Sequence, residues 1–285
     1  GWYNNQTYVD TLSEEAIAEF IKTTHEAYKK HVGEDFGGAV PAIFTDEPNF
    51  NTHEGRDTLN FAESHNDLSV AWTTDFADTF KKYAGFDLLD RLPELFWELP
   101  DGKISNIRWL FYNHVSDRFA NSFSRQIGQW CDKNGIALTG HLLSEENLTW
   151  QSISVGECMR SYPHFGIPGV DMLCNHVEFT TAKQTQSIVH QSGKEAMTSE
   201  LYGVSNWDFD FRGHKFQGDW QAAFGVTVRV PHLSWVSMKG SAKRDYPASI
   251  NYQSPWFKEY PYIEDHFARL NTVMSRGKPA ASVGV

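Results

Sequence analysis

Five times along this chain a short apolar run gives way to a stretch with helical spacing, and this alternation limits the fold more than any other feature. The runs Val40 to Phe44, Ile136 to Leu138, Val170 to Leu173, Ala196 to Ser199 and Val226 to Val230 read as buried strands. Between them, apolar residues recur at helical intervals. Ser13 can cap a first helix in which Ile17, Phe20, Ile21 and Tyr28 keep helical spacing, with Gly33 expected to end it in a left-handed conformation. A long helix is expected over about 105–134, striped by Ile107, Leu110, Phe111, Val115, Phe119, Phe123, Ile127 and Trp130 and closed by Gly135. Further helices are expected near 71–84, 181–192, 215–224 and 258–275, the first of them inside an irregular stretch, 49–104. Strands alternating with helices imply an α/β fold with a parallel sheet and helical crossovers.

Length and charge narrow the function classes. The 285 residues, 40% hydrophobic, are enough for one sizeable core. A net charge of −11 argues against nucleic acid or an anionic membrane as partner, and favours a neutral or weakly cationic substrate. Ten tryptophans suit core packing first, and also suit the stacking of sugar rings on indoles. Three cysteines, Cys131, Cys158 and Cys174, without CxxC spacing point to neither a disulfide framework nor a zinc site, but to buried thiols. No apolar run approaches membrane-spanning length and no secretory signal opens the chain. Gly1-Trp2-Tyr3 reads as a start cut from something longer. Phosphate-loop, dinucleotide, nucleophile-elbow and zinc-protease motifs are all missing from the sequence, so no metal site is assigned; acidic loops leave calcium open.

In parallel α/β folds the chemistry gathers at the C-terminal ends of the strands. The first strand here leads to Asp46 and Glu47, and the second to His141, with Glu145 and Glu146 close behind. The third carries Asp171, read as lying near its start. The fourth leads to Glu200, then Tyr202 and Trp207, and the fifth to His232 and Trp235. Glycosidic cleavage needs one carboxyl to protonate the departing oxygen and a second to attack the anomeric carbon or activate water. Glu47 and Glu200 are the candidate pair. Asp46, His141, Glu146, Asp171, Tyr202, Trp207, His232 and Trp235 are the candidate sugar contacts. Each has a plainer reading. Asp46 reads equally as a helix cap, Glu47 and Glu146 as loop residues, and Glu200 as a salt-bridge partner. His141 and His232 read as satisfied polar neighbours.

Several segments carry a family resemblance. They are Tyr8-Val9-Asp10-Thr11-Leu12, Ile43 to Pro48, Gly135 to Leu142, Val170 to Leu173, Thr198 to Gly203, and Ala268-Arg269-Leu270 with Met274 to Pro279. Together they resemble large bacterial hydrolases of the family 106 α-L-rhamnosidase type. The resemblance implies a TIM-type (β/α) barrel, incomplete here, whose five strands are barrel strands four to eight. It also implies that residues 1–276 belong to the catalytic barrel and that 277–285 begin a following domain. Glu47 on strand four becomes the general acid and Glu200 on strand seven its partner, with Glu146 as rival. An inverting reaction on plant polysaccharide is implied, in a bacterial parent enzyme that is periplasmic or secreted, with calcium able to sit near the sugar. Another glycosidase of the same barrel clan (a β-galactosidase or β-glucuronidase relative) and a non-catalytic carbohydrate-binding fragment are the alternative readings. The oligomeric state stays open.

Overall fold

The computed structural model describes residues 7–50, 70–235, 237–240, 250–281 and 284. Part of the irregular stretch expected over 49–104 therefore lies outside the described residues. Ser13 caps α1 (Glu14–Phe20), its Oγ accepting from the Ala16 amide at 3.2 Å. The helix runs through a π-helical turn, Ile21–His25, into α2 (Glu26–Val32). Gly33 is not left-handed: its φ is −64°, because the chain tightens into the 3₁₀ turn Gly33–Asp35. The left-handed glycine is Gly37, at φ 74°. After β1 (Ala42–Thr45) comes α3 (Phe76–Ala84). The expected long helix is α4 (Ile107–Phe119), a π-helical stretch Ala120–Arg125, and α5 (Gln126–Lys133), with Gly135 beyond it at φ 69°.

β2 (Ala137–Gly140) is followed by two short helices for which the sequence reading made no assignment. α6 (Leu148–Ser154) starts on Asn147, whose Oδ1 accepts from the Trp150 amide at 3.0 Å, and α7 (Cys158–Ser161) follows. Then come β3 (Ile167–Met172), α8 (Phe179–Gln191), β4 (Met197–Leu201), α9 (Phe211–Ala223), β5 (Val226–Pro231) and α10 (Pro261–Met274). β3 begins at Ile167, not at Val170, so Asp171 lies near its end rather than its start. Pro168 and Gly169 masked that beginning, because both are weak strand formers. Residues 277–281 form no strand, and Gly277 turns at φ 86°.

The strands form one sheet in the order β1-β2-β3-β4-β5. β2–β3, β3–β4 and β4–β5 pair in parallel. Ala137 N–H donates to Pro41 and His141 N–H to Thr45, which sets β1 and β2 parallel as well. A five-stranded parallel α/β sheet of this kind is in keeping with an incomplete barrel.

The chain divides into two units, Gly1–Ile43 with Glu47–Leu138 and Leu142–Phe165, and Phe44–Asp46 with Thr139–His141 and Gly166–Val285. The first has a helical core in which Ile17, Phe76, Phe80, Ile107, Phe111, Val115 and Phe119 are fully buried. Arg118 ties it together, donating to the Leu12 carbonyl and to both oxygens of Asp75. In the second, Val170 and Met172 of β3 and Met197 and Leu201 of β4 pack on one face of the sheet with Ala182 of α8, Trp220 of α9 and Val226 of β5. Side chains alternate along a strand. The opposite face therefore takes Phe44 and Asp46, Thr139 and His141, Gly169 and Asp171, and Thr198 and Glu200, and, because a register shift follows Val226, also Val228 and Val230.

Candidate active site

The alternation that sends Met197, Ser199 and Leu201 to the helices sends Thr198 and Glu200 the other way. Gly169 pairs in register with Thr198, Asp171 with Glu200, and Glu200 with Val230. Thr139 on β2 and His141 just past its end share that face. Thr139 Oγ1 lies 2.8 Å from Thr198 Oγ1 and donates to the Ile167 carbonyl at 2.8 Å. Two buried threonines thus form a polar floor, and one step beyond them the ionisable groups meet.

His141 is at the centre. It is fully buried, its ring edge-on to Phe44 at 5.7 Å. Its Nε2 is 3.2 Å from Asp46 Oδ1 and 3.8 Å from Asp171 Oδ2, while its Nδ1 is 3.8 Å from Glu200 Oε2. The Asp171 and Glu200 side chains are mostly covered and Asp46 is exposed, so the cluster opens to solvent on the Asp46 side. The hydrogen bond from His141 holds the Asp46 carboxyl below the usual carboxylate range, against a desolvation penalty, with the charges of His141 and His232 adding to it.

Among the described residues two overlapping sets, Asp46 with His141 and Glu200, and Glu47 with His141 and Asp171, each offer three ligand atoms within 4.8 Å of one another. Neither set alone makes the shell of 6–8 oxygens that calcium takes.

Glu47 follows Asp46 directly. It is exposed, with a left-handed φ of 45°, and its carbonyl accepts from Asn49 Nδ2 at 2.9 Å. Glu146 is exposed. Its neighbour Glu145 is buried, bound by the Tyr162 hydroxyl, with Gln151 Nε2 donating to its carbonyl at 2.8 Å. Tyr202 is not brought to the acid cluster: its ring lies in the core, and its hydroxyl donates to the His214 carbonyl at 3.2 Å and accepts from Arg229 at 3.3 Å. Trp207 and Trp235 meet edge-to-face at 4.9 Å, Trp235 buried and Trp207 exposed. His232 joins the strand ends through its amide, which donates to the Leu201 carbonyl at 2.8 Å. The residues that sequence reasoning missed are Thr139 and Thr198. Each lies two positions before a candidate on the same strand, so period-two counting back from His141 and Glu200 could have found them.

No family model matches the sequence, and no curated protein matches it. Among solved structures, the chain is similar to a rhamnosidase from Novosphingobium sp. PP1Y, with a TM-score of 0.70 at 19% identity, covering 95% of this chain and 25% of that protein. The chain thus spans about a quarter of the length of that rhamnosidase, and at this identity the likeness is one of fold.

Proposed function

We propose that this chain carries the catalytic part of a glycoside hydrolase of the rhamnosidase type, acting on a neutral terminal sugar of a polysaccharide or oligosaccharide. Its strands are read as strands four to eight of a (β/α) barrel. The observation that carries the reading is the register pairing of Asp171 with Glu200, beside His141 and Asp46, on one face at the C-terminal ends of parallel strands. The fold similarity to a rhamnosidase supports it. So does the left-handed backbone of Glu47, a conformation that costs a non-glycine residue roughly 1 kcal/mol and clusters at functional sites.

In this reading the Glu47 carboxyl gives its proton to the glycosidic oxygen as the C1–O bond breaks. Glu200 takes a proton from water, whose oxygen attacks C1 from the opposite face, so the anomer inverts. Asp46 and Asp171 bind hydroxyls of the sugar, the buried His141 holds these carboxylates in place, His232 flanks them, and the Trp207–Trp235 pair offers an aromatic platform. Glu146 remains the rival for the role of Glu200.

A panel of nitrophenyl glycosides that includes the α-L-rhamnoside tests the proposal. At least one should be hydrolysed, and Glu200→Gln and Glu47→Gln should each cut turnover by about 10²–10⁴-fold. Hydrolysis that survives both substitutions would end the assignment.

A further inference from the structure

Both ring nitrogens of His141 face carboxylates: Nε2 faces Asp46 and Asp171, and Nδ1 faces Glu200. A neutral imidazole carries a proton on only one nitrogen and presents a lone pair at the other. Here that lone pair would point from a fully buried ring at an anion, a repulsive contact that is screened least on the covered Glu200 and Asp171 sides. With a proton on each nitrogen, both edges donate and both contacts become attractive. The groups facing the ring come from every neighbouring strand: Asp46 past β1, Asp171 on β3 and Glu200 on β4. His232 lies past β5 and acts on Asp46, and Glu47 follows Asp46 in the chain. Three carboxylates against one buried ring favour the cation. The chain places the ring there by β-alternation from Thr139, which the Thr198 contact anchors.

We infer that His141 is a positioning residue: a buried imidazolium that bridges Asp46 and Asp171 to Glu200, holding the Glu200 carboxylate ionised and oriented. An ionised Glu200 is fitted to take a proton and unfitted to give one. The charge bridge therefore selects Glu200 as the base and leaves the acid role to Glu47. That last consequence rests on the glycosidase reading; the charge state of the ring does not.

Histidine side-chain ¹⁵N correlation spectra of the full chain, with His141 assigned by comparison with His141→Asn, test the inference. At pH 7 both His141 nitrogens should resonate as imidazolium nitrogens, and they should remain so to above pH 8. A lone-pair-type nitrogen at pH 7 overturns the inference. Asp46→Asn and Asp171→Asn each keep the ring and remove one anion, so each should bring the His141 titration down in pH; two unmoved titrations count against the bridge. In kinetics on a hydrolysed aryl glycoside, His141→Asn should lower kcat at least about tenfold, change KM less than about threefold, and move the acid limb of the pH profile upward. A fall in kcat with the limb unmoved assigns His141 a merely structural role. An imidazolium in a protein that hydrolyses no glycoside would leave this inference standing while the glycosidase reading fails.

Discussion

Asp171 and Glu200 are direct register partners across the β3–β4 ladder, so two carboxylates stand side by side on the face opposite the one that packs on α8 and α9. Like charges directly opposite destabilise a sheet unless something lies between or above them. Here that something is the His141 edge and, in the proposed reaction, the hydroxyls of a sugar. Asp171→Asn should therefore weaken substrate binding more than chemistry. The expectation is a KM raised about tenfold with kcat within about tenfold of the parent, the pattern of a lost binding contact. Initial-rate kinetics measure it, and a collapse of kcat at unchanged KM would place Asp171 in the chemical step.

The threonine floor should have a measurable share in stability. Thr198→Val keeps shape and removes one partner of a buried hydroxyl pair, leaving Thr139 with the Ile167 carbonyl. A loss of about 1 kcal/mol is expected in urea unfolding, in the usual range for one hydrogen bond. A more stable variant would mean that the pair contributes nothing net.

Gly140 links the floor to the cluster at φ 118°, and a Cβ there would run into the Thr45 carbonyl. Gly140→Ala should cost at least about 2 kcal/mol, since both the backbone conformation and the β1 carbonyl oppose it. Thermal melting of the variant alongside the parent decides this, and equal midpoints would refute the steric account.

Acid should loosen the helical unit through Glu94. The Arg91 guanidinium first, and then the Ser105 hydroxyl, hold its carboxyl at about 2. A depressed carboxyl stabilises the fold above its unfolded value of roughly 4.3, and loses that contribution as pH falls through the folded one. Stability should therefore drop between about pH 4 and pH 2, and Glu94→Gln should flatten the decline in that window. Midpoints measured at several pH values for both proteins provide the comparison; identical slopes would remove Glu94 from the explanation.

The three thiols should differ in reactivity. Burial pushes Cys131 up to about 12 and Cys158 well above the ordinary thiol value, and both side chains are covered. Cys174 is only partly covered. A disulfide reagent at pH 8 should modify Cys174 in the native protein and all three in denaturant. Native labelling of Cys131 or Cys158 would contradict this burial.

The order of elements was legible because apolar periodicity survives in each strand and helix: all five expected strands are present within a few residues. The strand ends were legible for the same reason, and led to Asp46, His141 and Glu200, whereas Asp171 read as lying near the start of its strand. What failed was local. The start of β3 was hidden by Pro168 and Gly169, whose place in the ladder is set by neighbouring strands and not by their own preference. The helices α6 and α7 carry no long apolar stripe, and tertiary contacts such as Gln151 with Glu145 and Cys158 hold them. Tyr202 looked like a sugar contact because it follows Glu200 closely. The chain turns there with φ 77°, and the ring goes to the core.

Spacing also sets what this cluster can tolerate. Each of its four members lies two residues from a strand neighbour on the same face: Asp46, just past β1, from Phe44; His141, just past β2, from Thr139; Asp171 from Gly169; Glu200 from Thr198. Substitution can retune such a cluster one side chain at a time. Insertion or deletion of a single residue within a strand would rotate everything downstream by half a pleat and swap an acid for an apolar neighbour. Natural variation at these strands is therefore constrained in length more tightly than in identity, and a library meant to alter the site should exchange letters without ever changing their number.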